Sequence, residues 1–410
     1  MTTFLTEFQE GFGISLEALR ANKMRSALTT IGIVIGIVTV TLMGTAIDGL
    51  NRAFFQSISM IGADVLFVER FSWFNRTESE WLRQRNRRTI TLAQVKALEK
   101  QATLVRAVAP FTATQDSVKY NHRSSSSVTI IGTTDQYQFT SSIAISEGRF
   151  FSGPESDGGR PVCVLGFQVA TNLFVKESGL GKRIRVGQQP FEVVGVLEKQ
   201  GNFLGAFSLD NQVIIPVYQF MAQFSSFPDF SIQVKVADLA GMEDAREEIR
   251  GVMRKIRRVA PEAEDDLAIN QQEALMTAFK RVSTVIATAG LFITGLSLFV
   301  GGIGIMNIMF VSVAERTREI GIRKAVGAKR RAILLQFLSE AATICLFSGL
   351  LGLAIAFPLT FALKQFLPAH MSLTVAAIAI LVSLLTGVVS GFFPAWRAAR
   401  MNPVDALRNE

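Results

Sequence analysis

The chain has 410 residues, 49% of them hydrophobic and 19% charged, with a formal net charge of +8 and a mean hydropathy of +0.32. That mixture excludes a disordered chain and points to membrane spans joined to a large water-exposed part. Two cysteines (Cys163 and Cys345) exclude a disulfide framework, and two histidines (His122 and His370) are too few for an ordinary zinc site.

In the first 25 residues Phe4, Leu5, Phe8, Phe12, Leu16 and Leu19 recur near helical spacing with charges between them. This predicts an amphipathic helix on the inner leaflet over residues 1–25, with Gly11 and Gly13 weakening a continuous rod. A charge-free run of 22 residues, 26–47, follows and is long enough to cross a bilayer. It starts too far into the chain, and lacks the small-residue cleavage site, for a removed signal. Arg20, Lys23 and Arg25 precede it, so the N-terminus is expected in the cytoplasm.

Residues 48–281 form a long hydrophilic insert of 234 residues, enough for two small lobes with cores of their own. Strands are predicted at residues 64–68, 128–132, 161–166, 183–186, 191–196 and 231–236. Helices are predicted from a Thr91–Gln94 capping box to about Gln101, around 168–176, and over the charged stretch 243–259. The mixture reads as α+β. Because both ends of the insert return to the membrane, residues 48–125 and 226–281 are expected in a membrane-proximal lobe, with 126–225 as an inserted distal lobe. Arg76, Arg83, Arg85, Arg87 and Arg88 read as a solvated loop in preference to a docking patch. No G-x-S-x-G occurs to suggest a hydrolase in this region.

A second charge-free run, 282–314, has 33 residues. As a helix it would be roughly 50 Å long against a hydrocarbon core of about 30 Å, so the excess is expected to project outward as a stalk. The loop 315–332 follows, with seven basic residues against two acidic ones between Glu315 and Arg331. So basic a loop stays in the cytoplasm. A helix starting near Thr317 would put Glu319 in its first turn and Arg323 and Lys324 in later ones, with Gly327 as a left-handed stop. The third span is expected at 333–363, with Glu340 at its cytoplasmic end, and the fourth at 371–396. The tail, 397–410, carries Arg397, Arg400 and Arg408, which returns the C-terminus to the cytoplasm. These cations flank apolar runs, where orientation bias and anionic lipid explain them, so nucleic acid is not an expected partner. Gly32-x-x-x-Gly36, Gly387-x-x-x-Gly391 and the cluster Gly301, Gly302 and Gly304 suit close helix packing, within one subunit or across a dimer. The core of every span is free of charge, which argues against a channel or an ion-coupled transporter.

These pieces resemble a known family. Residues 18–29 leading into Gly32 and Gly36 resemble the first span of MacB-type ABC transporter permeases. Gly148-Arg149-Phe150-Phe151, Val164-Leu165-Gly166, Gly181-Lys182-Arg183-Ile184 and residues 191–197 look like that family's extracytoplasmic domain. Residues 307–328 resemble the signature of the wider FtsX-like permeases. Pro394-Ala395-Trp396-Arg397 and Asn402-Pro403-Val404-Asp405 are similar to their C-terminal signature.

The resemblance implies a four-span helical membrane protein with a two-lobed α+β extracytoplasmic domain, in a bacterial inner membrane. It implies a homodimer paired with ABC ATPase subunits, in which the loop 315–332 is a coupling helix docking in the ATPase through Glu315, Arg316, Arg318, Glu319, Gly321, Arg323, Lys324 and Gly327. It further implies export of a substrate from the periplasmic side, with a periplasmic adaptor and an outer-membrane duct as partners. The alternatives are an FtsX-like transmitter that activates an extracytoplasmic enzyme and a LolC/LolE-like lipoprotein-releasing permease. Unlike MacB, the sequence has no G-x-x-x-x-G-K-[ST]; Gly179-Leu180-Gly181-Lys182 falls short of it and lies on the outer side. The ATPase is therefore expected on a separate chain, with no catalytic residue, cofactor or metal held here and ATP used only through that partner.

Overall fold

The computed structural model describes residues 23–59, 62–74, 77–141, 143–175, 177–203, 207–364 and 369–408. The amphipathic helix expected at 1–25 falls almost entirely outside them. The chain divides into two compact units, one of Met1–Arg52 with Arg281–Glu410, the other of Ala53–Lys280.

The second unit is built on one ten-stranded sheet. In chain order its strands are β1 (Val65–Glu69), β2 (Val105–Tyr120), β3 (Arg123–Thr133), β4 (Ile145–Gly148) and β5 (Val162–Leu165). Then come β6 (Arg183–Val186), β7 (Gln189–Leu197), β8 (Gln212–Pro216), β9 (Ser231–Val236) and β10 (Ala268–Gln271). The spatial order is β10-β1-β9-β2-β3-β8-β5-β7-β4, with β6 pairing β2 and β7. Strand β2 belongs to both halves. Its first part pairs antiparallel with β9, Phe111 facing Ser231, and its second part with β3, Thr112 facing Gly132. The change of partner thus falls at Phe111/Thr112, upstream of the lobe boundary expected at residue 125.

Two lobes gather around the two halves. In one, α1 (Lys23–Ser59) leads into β1, and α2 (Glu78–Arg85), α3 (Leu92–Gln101) and α6 (Met242–Arg257) accompany β1 and β9. Helix α6 buries Met242, Ala245, Ile249 and Met253, a stripe at helical spacing, in one core with Val95 and Leu98 of α3 and Leu66, Ile232 and Val234 of the sheet. The other lobe adds α4 (Phe167–Leu173) and α5 (Val217–Gln223). Here both faces of the sheet are covered. Val213 and Ile215 of β8 join Ile130, Cys163 and Phe220 in one core, while Ile214 joins Ile131, Val164 and Phe151 in another. A strand buried on both sides reads as a continuous apolar run and loses its period-two signature. The four-residue gap between the strands expected at 183–186 and 191–196 narrows to a two-residue turn. Val186 pairs with Gln189, and Gly187 takes φ +58°, as such a hairpin requires.

Of the arginine cluster, Arg76 lies outside the described residues; Arg83, Arg85 and Arg88 are exposed as expected, but the segment is not a plain loop. Glu78–Arg85 is helical, capped by the Thr77 hydroxyl accepting from Glu80 N at 3.3 Å. Arg83 pairs with Glu264 at 3.1 Å, Arg88 with Asp266 at 2.9 Å, and Arg87 donates to the Arg70 carbonyl at 2.8 Å. At the centre Arg257 is fully buried. It donates to Asp266 (2.8 Å), Gln94 (3.0 Å) and the carbonyls of Arg88 (2.8 Å) and Thr89 (3.3 Å), so its charge is compensated where it stands. Desolvation by burial lowers the Arg87 guanidinium below its usual range, against the pull of Asp266 and its acidic neighbours.

Among the described residues four helices are long and apolar enough to cross a membrane: α1 over Thr30–Phe55, α7 (Gln272–Glu315), α9 (Arg330–Leu363) and α10 (Leu373–Arg400). Their shared core comprises Ile33, Ile37, Ile305, Met309, Phe337, Ala341, Cys345, Ala379, Ala395 and their neighbours. Helices α1 and α7 both outrun the charge-free stretches at 26–47 and 282–314. Within the Ala53–Lys280 unit their extensions pair, with the rings of Phe54 and Phe279 stacked at 3.7 Å and Gln272 Nε2 donating to the Ile58 carbonyl at 3.2 Å.

One carboxylate in the second lobe yields a stability test. Glu155 accepts from both terminal nitrogens of Arg149 (2.7 and 2.9 Å) and from the Ser152 backbone and hydroxyl (2.9 Å each). The Arg149 guanidinium, with Ser152, holds its carboxyl down at about 2, against the opposing effect of desolvation. The folded value lies below the unfolded one, so the stabilisation is present above about pH 4.5 and is lost as pH falls toward 2. Glu155→Gln is expected to cost roughly 2 kcal/mol at neutral pH and progressively less below pH 4. Thermal unfolding of both proteins across this range measures it; an undiminished difference near pH 2 would refute the assignment.

Candidate functional site

The sharpest concentration of charge near the apolar helices lies between α7 and α9. Helix α7 ends at Glu315, and α8 (Thr317–Ala325) starts after Arg316 alone. The Thr317 hydroxyl donates back to the carbonyls of Val313 (3.1 Å) and Ala314 (2.8 Å), spanning the break. Glu319 stands in the first turn, while Arg323 and Lys324 stand in the last, each on the favourable side of the helix dipole. The helix ends in a Schellman motif: Gly327 N donates to Lys324 O and Ala328 N to Arg323 O, both at 3.0 Å. Gly327 takes φ +103°, which a side chain would resist.

The eight residues assigned to coupling divide by environment. Glu315, Arg318, Glu319, Arg323 and Gly327 are exposed, and Arg323 bridges Glu319 (2.5 Å) and Gln336 of α9 (2.7 Å). Arg316 is half-buried and meets Glu340 of α9 at 3.4 Å, where that carboxylate is only 4% exposed. Gly321, expected on the docking surface, is buried beside Ile320. Lys324 also turns inward, donating to the carbonyls of Ala399 (2.7 Å) and Met401 (2.5 Å) at the end of α10. Desolvation, followed by the charge of Arg330, lowers its ammonium below the usual range. Beneath α8 lies a short helix, α11 (Pro403–Arg408), packed against it. No local signal marks this inward role for Lys324, because its acceptors lie 75 and 77 residues away.

The packing glycines meet helices of the same chain. A Cβ on Gly32 would meet Gly301 Cα at 3.3 Å, one on Gly36 would meet Leu298 Cδ2 at 2.9 Å, and one on Gly301 would meet Ile33 Cγ1 at 2.9 Å. Gly302 faces Ser390, Gly387 faces Cys345 and the Ala341 carbonyl, and Gly391 faces Ala341 Cβ; Gly304 is half-buried. Gly181 and Lys182, the nearest approach to a phosphate loop, lead into strand β6 and not into a helix N-terminus, so no helix dipole faces them.

Four apolar helices, with a large α+β domain inserted between the first and second, define a multi-pass membrane protein. Residues 26–252 match the model of the MacB-like periplasmic core domain, and residues 291–403 match that of the FtsX-like permease C-terminal domain. An uncharacterised ABC transporter permease, YknZ of Bacillus subtilis, is 34% identical over 98% of this chain and 99% of its own length. The macrolide export ATP-binding/permease protein MacB of Bdellovibrio bacteriovorus is 32% identical over 96% of this chain. This chain spans 61% of that relative's length. The solved periplasmic region of MacB from Actinobacillus actinomycetemcomitans aligns with a TM-score of 0.45 at 20% identity, covering 54% of this chain and 95% of that one. The chain belongs to the MacB/FtsX-like family of ABC transporter permeases.

The glycine contacts make a differential prediction. Gly387→Val places atoms where Cys345 Sγ and the Ala341 carbonyl now lie, at 2.8 and 2.9 Å from a Cβ, whereas Gly295 has nothing within 4 Å. Gly387→Val is expected to lower the melting temperature of the detergent-solubilised protein by an amount corresponding to roughly 1–3 kcal/mol, and Gly295→Ala to leave it unchanged or slightly raised. Equal effects from the two would contradict this packing.

Proposed function

We propose that this protein is the permease subunit of an ABC exporter, and that it transmits the motion of a separate ATPase to its extracytoplasmic domain without conducting substrate between its spans. The observation that carries this reading is the clamped position of α8, with a single residue before it and four after it between two spans. A partner gripping its exposed Arg318, Glu319 and Arg323 would displace α7 and α9 together. Helix α7 runs unbroken for 44 residues from Gln272 to Glu315, about 66 Å at 1.5 Å per residue, which suits a rigid transmitter. The uncharged span cores suit a lever better than an ion or proton path.

In this reading two copies pair with two ATPase chains in a bacterial inner membrane, with both termini cytoplasmic. ATP is bound and hydrolysed by the partner. Closure of the ATPases moves the outer domains, which expel a substrate already on the periplasmic side, with an adaptor and an outer-membrane duct as further partners. Relatives named for macrolide and pyoverdine export support export over FtsX-like signalling. The large outer domain supports it too.

Two measurements test the reading. For topology, a cysteine at exposed Ser126 is expected to react with a membrane-impermeant reagent added outside intact cells, and one at exposed Ala328 is not. Labelling of Ala328 from outside would invert the assignment. For mechanism, spin labels at Ser126 of both subunits are expected to change separation between nucleotide-free and ATP-bound complexes, while cysteines along 293–309 stay closed to aqueous reagents during turnover. A fixed separation, or water reaching those mid-span positions, would favour conventional alternating access.

A further inference from the structure

The loop connectivity ties α8 to the second and third spans only. The side-chain chemistry adds the fourth. Helix α10 ends at Arg400, and its last carbonyls have no partner within the helix. Two carbonyls at this end, those of Ala399 and Met401, receive the Lys324 ammonium at 2.7 and 2.5 Å. Charge-assisted bonds to a helix C-terminus are favoured by both the ionised donor and the dipole. The contact is reinforced from below and beside. Helix α11, which follows α10 after Met401 and Asn402, packs against α8, with Ala406 only 2% exposed. Ile320 of α8 shares one buried cluster with Ala395, Ala398 and Ala399 of α10.

We infer that Lys324 is a positioning residue that locks α8, the end of α10 and α11 into one body, so that a push on α8 is delivered to the fourth span at the same moment as to the second and third. This deepens the coupling reading above and rests on it. The lock leaves the outward face of α8 unchanged, since Lys324 spends its donors inward. It therefore separates two properties that Arg318 and Glu319 would combine: gripping the ATPase and passing the displacement on. Arginine at this position keeps the charge and the donors, whereas methionine keeps the stem and removes both.

The test uses the full chain reconstituted with its ATPase in lipid nanodiscs, carrying labels at Val326 and Val404, which are 85% and 66% exposed. The native Cys163 and Cys345 are buried and do not compete for label. In the otherwise native protein the Val326–Val404 separation is expected to be narrowly distributed and identical with and without ATP. Lys324→Met is expected to retain the ATPase and hydrolyse ATP, but to raise the population with α8 and α11 apart by roughly tenfold or more. The nucleotide-driven change in outer-domain separation should fall with it, and Lys324→Arg should restore both. A Lys324→Met protein with the native narrow separation, or with undiminished outer-domain motion, would overturn the lock. Outer domains that stay still in the native complex would overturn the lever reading instead, because the Val326–Val404 separation reports the lock independently of them.

Discussion

The chain between the second and third spans has almost no slack. Arg316 alone separates α7 from α8, and a Schellman turn with four residues leads from α8 to α9. Such a connection holds only if its charges are settled. Glu340, almost fully buried one helix away, must be paired where it stands, and Arg316 is the residue the tight turn presents to it. Removing either partner would strand the other at a cost on the order of 3 kcal/mol. The pair does more than anchor a loop. It fixes the start of α8 against α9, Lys324 fixes its end against α10, and Arg323 reaches Gln336 between them. Three polar contacts of different kinds leave a nine-residue helix little freedom to tilt independently.

A comparable logic holds in the α+β unit, where one strand serves two cores. β2 passes from β9 to β3 without a break, and its residues 107–110 are all buried. A sixteen-residue strand shared in this way resists hinge motion between its halves, since bending there would break ladder bonds on both sides. Arg257 has the same effect at another point. Its guanidinium gathers the end of α6, the start of α3 and the acidic segment at Asp266 around a charge that is tolerable only while all of them stay in place.

Much of this was legible in sequence because the relevant signals are local. The four spans are runs without charge, α8 carries its own dipole and stop signals, and β9 alternates cleanly at period two. The misses have physical causes. Charge counting ended the first and second spans at Asp48 and Arg281, yet α1 and α7 continue, because an Asp48–Arg52 pair at helical spacing is no obstacle to a helix leaving the hydrocarbon. Strands β2 and β8 went unread because covering both faces of a sheet erases alternation. The arginine cluster read as a loop because Glu264 and Asp266, which give it structure, lie nearly 180 residues away. Gly321 read as surface because its charged neighbours are, yet it is buried beside Ile320.

The bundle also bears on how force would pass through it. Several of its buried hydroxyls donate to backbone: Thr41 to Ile37 O at 2.7 Å, Ser348 to Ile344 O at 2.9 Å, and Ser383 across to Cys345 O at 2.5 Å, whereas those of Thr45 and Thr294 have no partner among the described residues. Between them the glycines bring backbones so close that a single methyl on Gly391 would run into Ala341. Helices in such contact cannot slide far without collision, so a displacement entering at α8 is shared among its neighbours before any gap opens between them. Close packing thus favours the same outcome as the uncharged span cores: motion carried along the helices in preference to a path between them.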